Sequence, residues 1–527
     1  MFDWRLPVAE SRQYLPHVGG LVAVFVFMKW FKDRKRNPRR LPYPPGPRGW
    51  PLIRILFQLP QKQSWLTHNQ WSKKYGDMIF YSVMGTNFLV LNSKKRANDI
   101  FDDRSVNYSD RVRMPMLVEM MNWRYNFGFM RYGAEWRKHR KAFHEHFNPS
   151  VVGRYDQVQL VHIRRFLGQL LQTPQNFMHH ISFVFASIIM DAVYGIQIED
   201  SNKDPHVKTI AAALDGLAKA GVPGSYLVDH LPILKHYPGW LPGGGFQKDG
   251  AEGREATERY AVETFNQVKE ALRSGTARPS VVGSIIENYT EEPDDKFSQA
   301  EADRIAENIG AVAYVAGADT TASAVQAFFI AMAMHPEAQK KAQAELDIVI
   351  GPGRLPEFSD KPLLPYVDAV VKETMRWDAV VPFAIAHMST EDDEYDGYFI
   401  PKGTVVMGNS WSILHDPDVF EDPSTYNPDR YFTNPELRHP HEAAFGYGRR
   451  ICPGRFFSDH NLFAITSSVL SVFDILPPID DKGNTIPLKY EPTSGSLSYP
   501  APYSCRIVPR SETASKLVLE TQLQQEL

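Results

Sequence analysis

The chain has 527 residues, of which 43% are hydrophobic and 12% aromatic, and its formal net charge is −3. That length allows a large apolar core, and the near-neutral charge argues against a nucleic-acid partner. Two cysteines cannot form a disulfide framework, so we expect a protein of a reducing compartment.

The first predicted element is a mostly apolar stretch from Leu15 to Phe31. It is short for a membrane span, which needs ~20 apolar residues. The charges that follow it are basic except for Asp33, namely Lys32, Arg34, Lys35, Arg36, Arg39 and Arg40. A signal peptide carries its positive charges before the apolar run, so this order predicts an uncleaved anchor over residues 1–40 with its C-terminal side in the cytosol. A helix lying on the membrane surface is the alternative.

A proline-rich segment, residues 41–51, follows this anchor and predicts a stiff spacer, because proline favours extended polyproline geometry. No clean linker divides residues 52–527, which indicates one large domain. Residues 79–92 read as a hairpin around a Gly-Thr-Asn turn, and residues 137–286 are mostly helical in pattern. We therefore predict a mainly α fold with a small β portion.

A long helix is predicted from the capping box at Ser298–Glu301 to His335, with a stop at Pro336. About 37 residues would span ~55 Å, so we expect this helix to cross the core. Its middle, Ala316–Thr321, contains Gly, Asp and Thr, which disfavour a helix, and a threonine hydroxyl can bond a preceding carbonyl. A local rule broken inside a buried element is where function is expected, although a small-residue packing face is the alternative.

Cys452 lies in a glycine-rich segment, Phe445–Gly454, ahead of an apolar helical pattern. Glycines let a backbone approach a flat cofactor, and Arg450 can hold an anionic group. We expect the helix N-terminus to lower the pKa of the thiol, and a thiolate is a ligand for haem iron. A small buried hydrophobe is the alternative for a lone cysteine, and we interpret Cys505 in that structural way.

The segment resembles the haem-binding loop of the cytochrome P450 family, Phe-x-x-Gly-x-Arg-x-Cys-x-Gly. The matching positions are Phe445, Gly448, Arg450, Cys452 and Gly454. Other family motifs follow in the family order, with Trp136 and Arg140 as Trp-x-x-x-Arg, Ala316–Thr321 as the oxygen-activation motif, Glu373 and Arg376 as Glu-x-x-Arg, and then Arg430. The resemblance covers nearly the whole chain and implies the cytochrome P450 fold.

The resemblance also implies roles for individual residues. Cys452 would be the axial thiolate ligand and only metal ligand of haem b, and the cofactor-binding residues would be Arg450, Trp136, Arg140, His387, Phe445 and Gly454. Gly317 would leave room for dioxygen, while Thr320 would hydrogen-bond the activated oxygen and Asp319 would relay protons to it. Glu373, Arg376 and Arg430 would form a buried charge network. His387 follows Ala386 where the family usually has proline, which leaves the path of that strand open.

The implied function is a haem-thiolate monooxygenase of the fungal, membrane-bound type, which tailors natural products or oxidises foreign compounds at the endoplasmic reticulum, facing the cytosol. It would use dioxygen and a hydrophobic small-molecule substrate. Because the chain carries no nicotinamide or flavin motif, electrons would come from an NADPH-dependent flavoprotein reductase. Candidates for its docking face are Arg137, Lys138, Arg140 and Arg455, and an ordinary solvated surface is the favoured alternative for these charges. Tryptamine-hydroxylating and polyketide-oxidising relatives share this style, so the substrate stays open.

Four segments are expected to line the substrate pocket by analogy with the family. They are residues 111–129, the helix before Gly317, Val380–Ala386 and Ser494–Leu497. The first is rich in methionine, and Met114, Met116, Met120 and Met121 either face an apolar pocket or fill the core.

Two other classes of protein remain as alternatives. A haem-thiolate isomerase or dehydratase would rearrange peroxides without a reductase, but the intact Asp319-Thr320 pair argues against it. A non-catalytic haem-binding protein would bind gas without forming product.

Overall fold

The structure is a computed structural model that describes residues 34–526 apart from 48, 50–57, 59, 61, 199–204, 222–223 and 292–297. The apolar stretch predicted as an anchor lies outside the described residues. Two described segments, Pro174–Tyr194 and Gln299–Met334, are long and apolar enough to cross a membrane, but both are mostly buried inside the protein. Burial in the core of the protein therefore explains why these two segments are apolar.

Helices form most of the described chain, as predicted. In chain order the α-helices are α1 Ser64–Tyr75, α2 Lys94–Ala97, α3 Ser105–Tyr108, α4 Ala134–Phe147, α5 Asp156–Gln172, α6 Phe177–Ile189, α7 Pro205–Ala220, α8 Leu227–His230, α9 Phe246–Ser274, α10 Val281–Glu291, α11 Gln299–Met334, α12 Pro336–Val349, α13 Pro365–Trp377, α14 Ser410–Leu414, α15 Arg430–Thr433, α16 His441–Ala444, α17 Arg455–Val472 and α18 Glu512–Glu526. Short 3₁₀ or π turns lie between them, at Asn98–Asp103, Pro115–Met120, Trp123–Tyr125, Val152–Tyr155, Pro174–Asn176, Met190–Tyr194, Pro232–His236, Phe358–Leu363 and Gly448–Arg450.

The β portion is small and lies in three sheets. The strands are β1 Met78–Val83, β2 Thr86–Leu91, β3 Asp110–Arg111, β4 His387–Met388, β5 Asp393–Tyr395, β6 Tyr398–Ile400, β7 Val405–Gly408, β8 Phe473–Leu476 and β9 Arg506–Pro509. The largest sheet has the order β1-β2-β7-β4-β3, in which only β2 and β7 run parallel. A mainly α fold with a small β portion is confirmed.

The predicted hairpin is present, but its turn is one residue earlier than expected. The turn lies at Met84 and Gly85, both with positive φ, rather than at Gly-Thr-Asn. Two left-handed residues match the twist of the two strands, and Gly85 adopts that conformation without steric cost.

The long helix α11 has the predicted bounds. The Ser298 hydroxyl accepts a hydrogen bond from the Glu301 amide at 3.3 Å, and the helix ends before Pro336. Most of its residues are buried, and it packs against α6, α9, α10 and α17. Helix α11 therefore crosses the core, as its length predicted.

The described part of the proline-rich segment lies on the body of the protein. The carbonyls of Pro42 and Pro45 accept hydrogen bonds from the amides of Phe399 and Phe80, both at 2.8 Å. Two residues of the basic flank also form ion pairs there, Arg36 with Asp392 and Arg39 with Glu394. In this structure the segment thus packs as an edge of the β region.

Candidate active site

The middle of α11 opens towards accessible space although the helix is otherwise buried. Ala316 is exposed, and Gly317, Asp319 and Thr320 are partly exposed, while the five residues before Ala316 are buried. The Thr320 hydroxyl donates to the Ala316 carbonyl at 2.7 Å. This is the local back-bonding that the sequence suggested, and it leaves the lone pairs of the hydroxyl oxygen available at the opening.

Asp319 has one side-chain hydrogen-bond partner among the described residues, Tyr499, whose hydroxyl donates to Oδ2. Burial raises the pKa of Asp319 above its usual value, and the hydrogen bond from Tyr499 acts in the opposite direction. Asp319 is thus a carboxyl group whose protonation depends on its surroundings, which suits a group that transfers protons.

Gly317 has a packing reason that the sequence did not indicate. A Cβ atom at this position would lie 2.8 Å from Cδ1 of Ile189, at the end of α6. A side chain at position 317 would therefore have to displace the end of the Ile189 side chain, and the exposed position of the motif is the neighbouring Ala316. Its role in making room for dioxygen stays a prediction.

Cys452 is a free and partly accessible thiol. Its amide donates to the Phe445 carbonyl at 2.8 Å, which closes the loop. Gly448 has a φ of 56°, and a Cβ there would lie 2.1 Å from the Phe101 carbonyl oxygen, so only glycine fits. At Gly454, which has an ordinary negative φ of −88°, a Cβ would meet nothing within 4 Å. The backbone at Gly454 therefore borders open space beside the thiol.

The helix N-terminus lowers the pKa of Cys452, as expected, but burial outweighs this effect. Burial raises the pKa of the thiol, although the backbone amides of Gly454 and Arg455 and the guanidinium groups of Arg140 and Arg455 act in the opposite direction. Desolvation disfavours a thiolate more strongly here than the amides and cations favour it.

Two buried arginines, Arg450 of the Cys452 loop and the neighbouring Arg111, have no ion-pair partner among the described residues. Arg450, 8% exposed, donates to the carbonyls of Ser109, Phe127 and Met130. Arg111, 4% exposed, donates to the carbonyls of Gly128, Ile385 and Ala386. Within the described part of the chain, neither arginine forms an ion pair. Burial lowers the pKa of Arg450 to about 10 and that of Arg111 well below its usual value.

Trp136 and Arg140 lie four residues apart on α4 and face the same region. The Arg450 guanidinium lies 4.4 Å from the centre of the Trp136 ring, a cation–π contact. The side chain of Arg140 makes no hydrogen bond to any described residue. Burial lowers its pKa to about 10, and the nearby Cys452 counteracts this in part. Buried cations that lack anions fit a flat ligand that carries carboxylates, such as the propionates of haem.

His387 is buried, 3% exposed, at the start of β4. Its Nδ1 donates to the Tyr108 carbonyl at 2.6 Å, and β4 pairs with β3 and β7, which settles the path of this strand. Burial lowers the pKa of His387 well below its usual value, followed by the effect of Arg111. A carboxylate at Nε2 would favour the protonated ring that can donate to it.

Glu373, Arg376 and Arg430 meet in one buried network. Arg376 donates to both oxygens of Glu373, at 2.8 and 2.7 Å, and Arg430 donates to Oε1 at 3.1 Å. The remaining guanidinium nitrogens donate to the backbone carbonyls of the segment that precedes Arg430 and of the end of α14, at Leu414, Glu421, Pro423 and Thr425. The network therefore ties α13 to the chain that leads into the Cys452 loop.

Two of the segments expected to line the pocket are in contact with each other, and residues that flank the other two segments are linked to them. The Ser498 amide donates to the Val380 carbonyl at 2.8 Å, and the Ser323 hydroxyl of α11 donates to the Ser498 carbonyl at 2.6 Å. Arg111 links the first segment to residues 385–386 through their carbonyls. Residues between 118 and 275 positions apart in the chain thus meet in this region.

Three of the methionines in the first segment pack away from this opening, against α9. A Cβ at Gly250 would lie 3.1 Å from Cε of Met120 and 3.7 Å from Cε of Met116, and a Cβ at Gly253 would lie 2.8 Å from Cγ of Met121. For these methionines the core alternative holds. Small residues on α9 make room for them.

The predicted basic docking face needs correction. Lys138 pairs with Glu301 at 2.6 Å, Arg140 is partly buried, and Arg455 donates to the Cys452 carbonyl. Of the four candidates only Arg137 is exposed.

Two residues of the site had no signal in the sequence. Arg111 belongs to none of the motifs, and Tyr499 lies 180 residues from its partner Asp319. Only their positions in space relate them to the motifs.

The comparisons with known proteins agree with the motifs. The family model described as Cytochrome P450 matches residues 44–505. The chain is 42% identical to the cytochrome P450 monooxygenase COX1 of Coprinopsis cinerea, over 97% of this chain and 100% of that protein. It is 44% identical to the cytochrome P450 monooxygenase COX2 of the same fungus, over 91% of each. It is also similar to the tryptamine 4-monooxygenase of Psilocybe cyanescens, with 36% identity over 92% of this chain and 96% of that protein.

Proposed function

The chain belongs to the cytochrome P450 family and is a monooxygenase, and from that premise we propose that Cys452 is the thiolate ligand of a haem b and that the substrate is a hydrophobic small molecule. The observation that carries the proposal is the free Cys452, whose thiol lies near the guanidinium group of Arg140, in a loop whose Arg450 is buried and forms no ion pair with a described residue. In the part of the chain that the structure describes, no three or more His, Cys, Asp or Glu side chains are grouped so as to hold a metal ion.

Five residues would hold the cofactor. When bound, haem supplies an iron centre at which dioxygen is reduced and an oxygen atom is passed to the substrate. Cys452 would bind the iron as thiolate, and coordination would release the proton that burial favours on the free thiol. Arg450, Arg140 and Trp136 would bind the propionates, and His387 would join them when protonated. Gly454 and Phe445 would keep the loop close to the ring.

Asp319 and Thr320 would deliver protons at the opening of α11. Reduction of one oxygen atom of dioxygen to water consumes two protons, which must reach the site without flooding it with bulk water. The raised pKa of Asp319 lets its carboxyl group keep a proton at a higher pH than an ordinary aspartate. The Thr320 hydroxyl is fixed by its bond to the Ala316 carbonyl. Its oxygen can accept a hydrogen bond from a proton donor and so orient that donor.

The substrate class follows from the side chains at this opening. Ala316 and Gly317 are apolar, and the polar groups there are Asp319 and Thr320. An apolar wall with a few polar groups suits a hydrophobic small molecule. The relatives include a protein named as a tryptamine 4-monooxygenase, which supports a role in the oxidation of natural products or foreign compounds.

Electrons would come from an NADPH-dependent flavoprotein reductase, and the revised docking face consists of Arg137 and Arg449. Both are exposed, and both guanidinium groups lie over the Tyr132 ring, at 5.8 and 5.7 Å from its centre. Neither forms an ion pair with a described residue. The body would sit on the cytosolic face of the endoplasmic reticulum, held by the apolar segment predicted at residues 15–31.

The reduced carbon monoxide difference spectrum tests the proposal. We expect the purified wild-type protein to give the red-shifted band of thiolate-bound haem and Cys452→Ser to lose it. Cys505→Ser is the matched control, because Cys505 is the other free cysteine and is also partly accessible. If the band is absent from folded wild-type protein, or survives in Cys452→Ser, the proposal is wrong.

The docking face has its own test. The double variant Arg137→Glu/Arg449→Glu should keep the carbon monoxide band after chemical reduction. Its rate of reduction by a flavoprotein reductase should fall at least tenfold, more steeply at low salt. Lys340→Glu, which changes an exposed lysine on a different helix, α12, is the control. An unchanged rate of reduction in the double variant would contradict this face.

A further inference from the structure

We infer that Tyr499 is a positioning residue for oxygen activation, whose hydroxyl holds the Asp319 carboxyl group in one orientation at the opening of α11. The inference rests on the proposed function, which makes Asp319 a proton donor, and deepens it by naming the residue that aims this donor.

The contact between the two side chains is direct. The Tyr499 hydroxyl donates to Oδ2 of Asp319, across 180 residues of chain. In the described part of the protein no other side chain hydrogen-bonds Asp319, and no cation pairs with it. The orientation of this carboxyl group therefore depends on one hydroxyl.

The backbone on either side of Tyr499 is fixed, which makes its position reproducible. The Ser498 carbonyl accepts from the Ser323 hydroxyl at 2.6 Å, and the Ser498 amide donates to the Val380 carbonyl at 2.8 Å. Tyr499 itself exchanges hydrogen bonds with Thr493, its amide donating to Oγ1 at 3.0 Å and its carbonyl accepting from the Thr493 amide at 2.7 Å. These bonds join Thr493 and Tyr499 into a second hairpin near the C-terminus. They fix the backbone from which the Tyr499 side chain extends to Asp319.

Helix periodicity explains why the hairpin can reach Asp319. Residues 319 and 323 lie four positions apart on α11 and so share one face. Ser323 binds the backbone of the hairpin, and Asp319 receives the side chain of the next hairpin residue. The Tyr503 hydroxyl continues this line, because it donates to the Gln326 carbonyl at 2.6 Å. Of these two tyrosines, only Tyr499 hydrogen-bonds an ionisable side chain.

Tyr499 would orient the donor without taking part in the proton transfer. Burial and the nearby Asp319 raise the pKa of the Tyr499 phenol far above its usual value, so it stays protonated. The proton that leaves Asp319 would pass toward the Thr320 hydroxyl or a water beside it, and a proton from water would restore the carboxyl group. Throughout, Tyr499 keeps its hydrogen and its bond to Oδ2.

The substitution Tyr499→Phe removes only this hydroxyl. In the full-length protein with bound haem, a reductase and NADPH, but no added substrate, we expect at least a threefold rise in the fraction of consumed dioxygen released as hydrogen peroxide. Protons delivered by a misplaced donor would arrive too slowly to carry reduction on to water. The carbon monoxide band should stay as in the wild type.

Infrared spectroscopy gives a readout that does not depend on turnover. The carboxylic acid band of Asp319, identified by its loss in Asp319→Asn, should titrate at higher pH in Tyr499→Phe, because the tyrosine opposes the effect of burial on the pKa of Asp319. A merely structural role of Tyr499 would not move this titration.

Matched controls lie in the same C-terminal segment. Tyr503→Phe loses a hydroxyl that donates to a backbone carbonyl, and Tyr490→Phe loses a hydroxyl that donates to a different carboxyl group, Asp378. Both should leave the peroxide fraction and the Asp319 band unchanged. In an Asp319→Asn background, Tyr499→Phe should add no further increase in peroxide, since its effect passes through Asp319.

The inference is overturned if Tyr499→Phe matches Tyr503→Phe in both the peroxide fraction and the Asp319 titration. If Tyr499→Phe does not fold, Ser323→Ala, which releases the Ser498 carbonyl, should shift both readouts in the same direction by a smaller amount, and no shift would count against the inference. Failure of the proposed function is distinguishable, because the wild type would then lack the carbon monoxide band while the infrared titration still tests the contact.

Discussion

Two groups of buried arginines differ in what neutralises them. In the network on α13, Arg376 and Arg430 share the carboxylate of Glu373, and the three side chains are 0%, 7% and 0% exposed. Around the Cys452 loop, Arg111 and Arg450 are nearly as buried but donate only to backbone carbonyls. The first group is paired within the chain, whereas the second forms no ion pair with a described residue, and Asp110 is the only carboxylate that raises the pKa of both of its arginines.

The difference separates a structural role from a binding role. Burying a charge without a partner is costly, so a cluster of unpaired cations is expected where a ligand supplies the anions. The α13 network should therefore stabilise the fold with or without ligand. The Cys452 cluster should affect mainly the retention of the ligand.

The largest effect is expected for Arg376→Ala. This substitution leaves the Glu373 carboxylate with Arg430 alone and frees backbone carbonyls at Leu414 and Pro423. Removal of one partner of a buried ion pair costs about 3–5 kcal/mol. Chemical denaturation should show this loss in the free energy of unfolding, and the variant should fail to retain haem. Normal incorporation of haem would show that the network does not support the loop.

Asp378 is a buried acidic group, in contrast to the buried arginines. A bound proton, rather than a cation, neutralises its carboxylate. It is 1% exposed, and burial raises its pKa to about 7 despite the hydrogen bond from Tyr490. An unfolded aspartate titrates near pH 4, so between about pH 4 and 7 the folded state binds the proton more tightly and stability falls as the pH rises.

Asp378→Asn should remove this pH dependence. Relative to the wild type, the variant should gain free energy of unfolding by roughly 3 kcal/mol between pH 4 and pH 7, with no further gain above pH 7. Denaturant titrations at pH 4.5, 6 and 8 would measure the difference. A difference that does not vary with pH would mean that Asp378 is ionised throughout.

Arg140 offers the sharpest test of the binding cluster, because it makes no hydrogen bond to the described chain. Arg140→Gln should weaken haem retention by about tenfold, as expected for the loss of a charge-assisted hydrogen bond. The unfolding midpoint of the haem-free protein should hardly change. Transfer of haem to an excess of a haem-scavenging globin gives the dissociation rate.

Arg137→Gln is the control for Arg140, since it lies on the same helix and is exposed. Equal haem loss from both variants would remove the distinction between the two arginine groups. A fall in haem-free stability with Arg140→Gln would instead make Arg140 a structural residue.

The smallest effect on stability is expected for an exposed ion pair. Arg39 lies 2.7 Å from Glu394, with side chains 74% and 37% exposed. Arg39→Gln should change the free energy of unfolding by no more than about 0.5 kcal/mol, because solvent screens such pairs. A loss comparable to that of Arg376→Ala would show that burial is not what decides the strength of these contacts.

Local patterns predicted the local features well. The cap at Ser298, the stop at Pro336 and the Thr320 back-bond each depend on residues within four positions of one another, so the sequence contains their full physical cause. The order of the motifs likewise indicated the family, and with it the fold class. The turn at Met84 and Gly85 was missed by one residue, since the choice between neighbouring turns depends on strand register.

Tertiary structure decided which charged groups are paired and how the side chains of the site are oriented. The sequence alone determined that a thiol, an acid–threonine pair and several arginines are present, because these are properties of residue type and spacing. It did not determine that burial raises the pKa of Cys452, that Met121 packs on α9, or that Tyr499 holds Asp319. Desolvation and long-range contacts arise only when distant segments meet, and spacing along the chain carries no information about them.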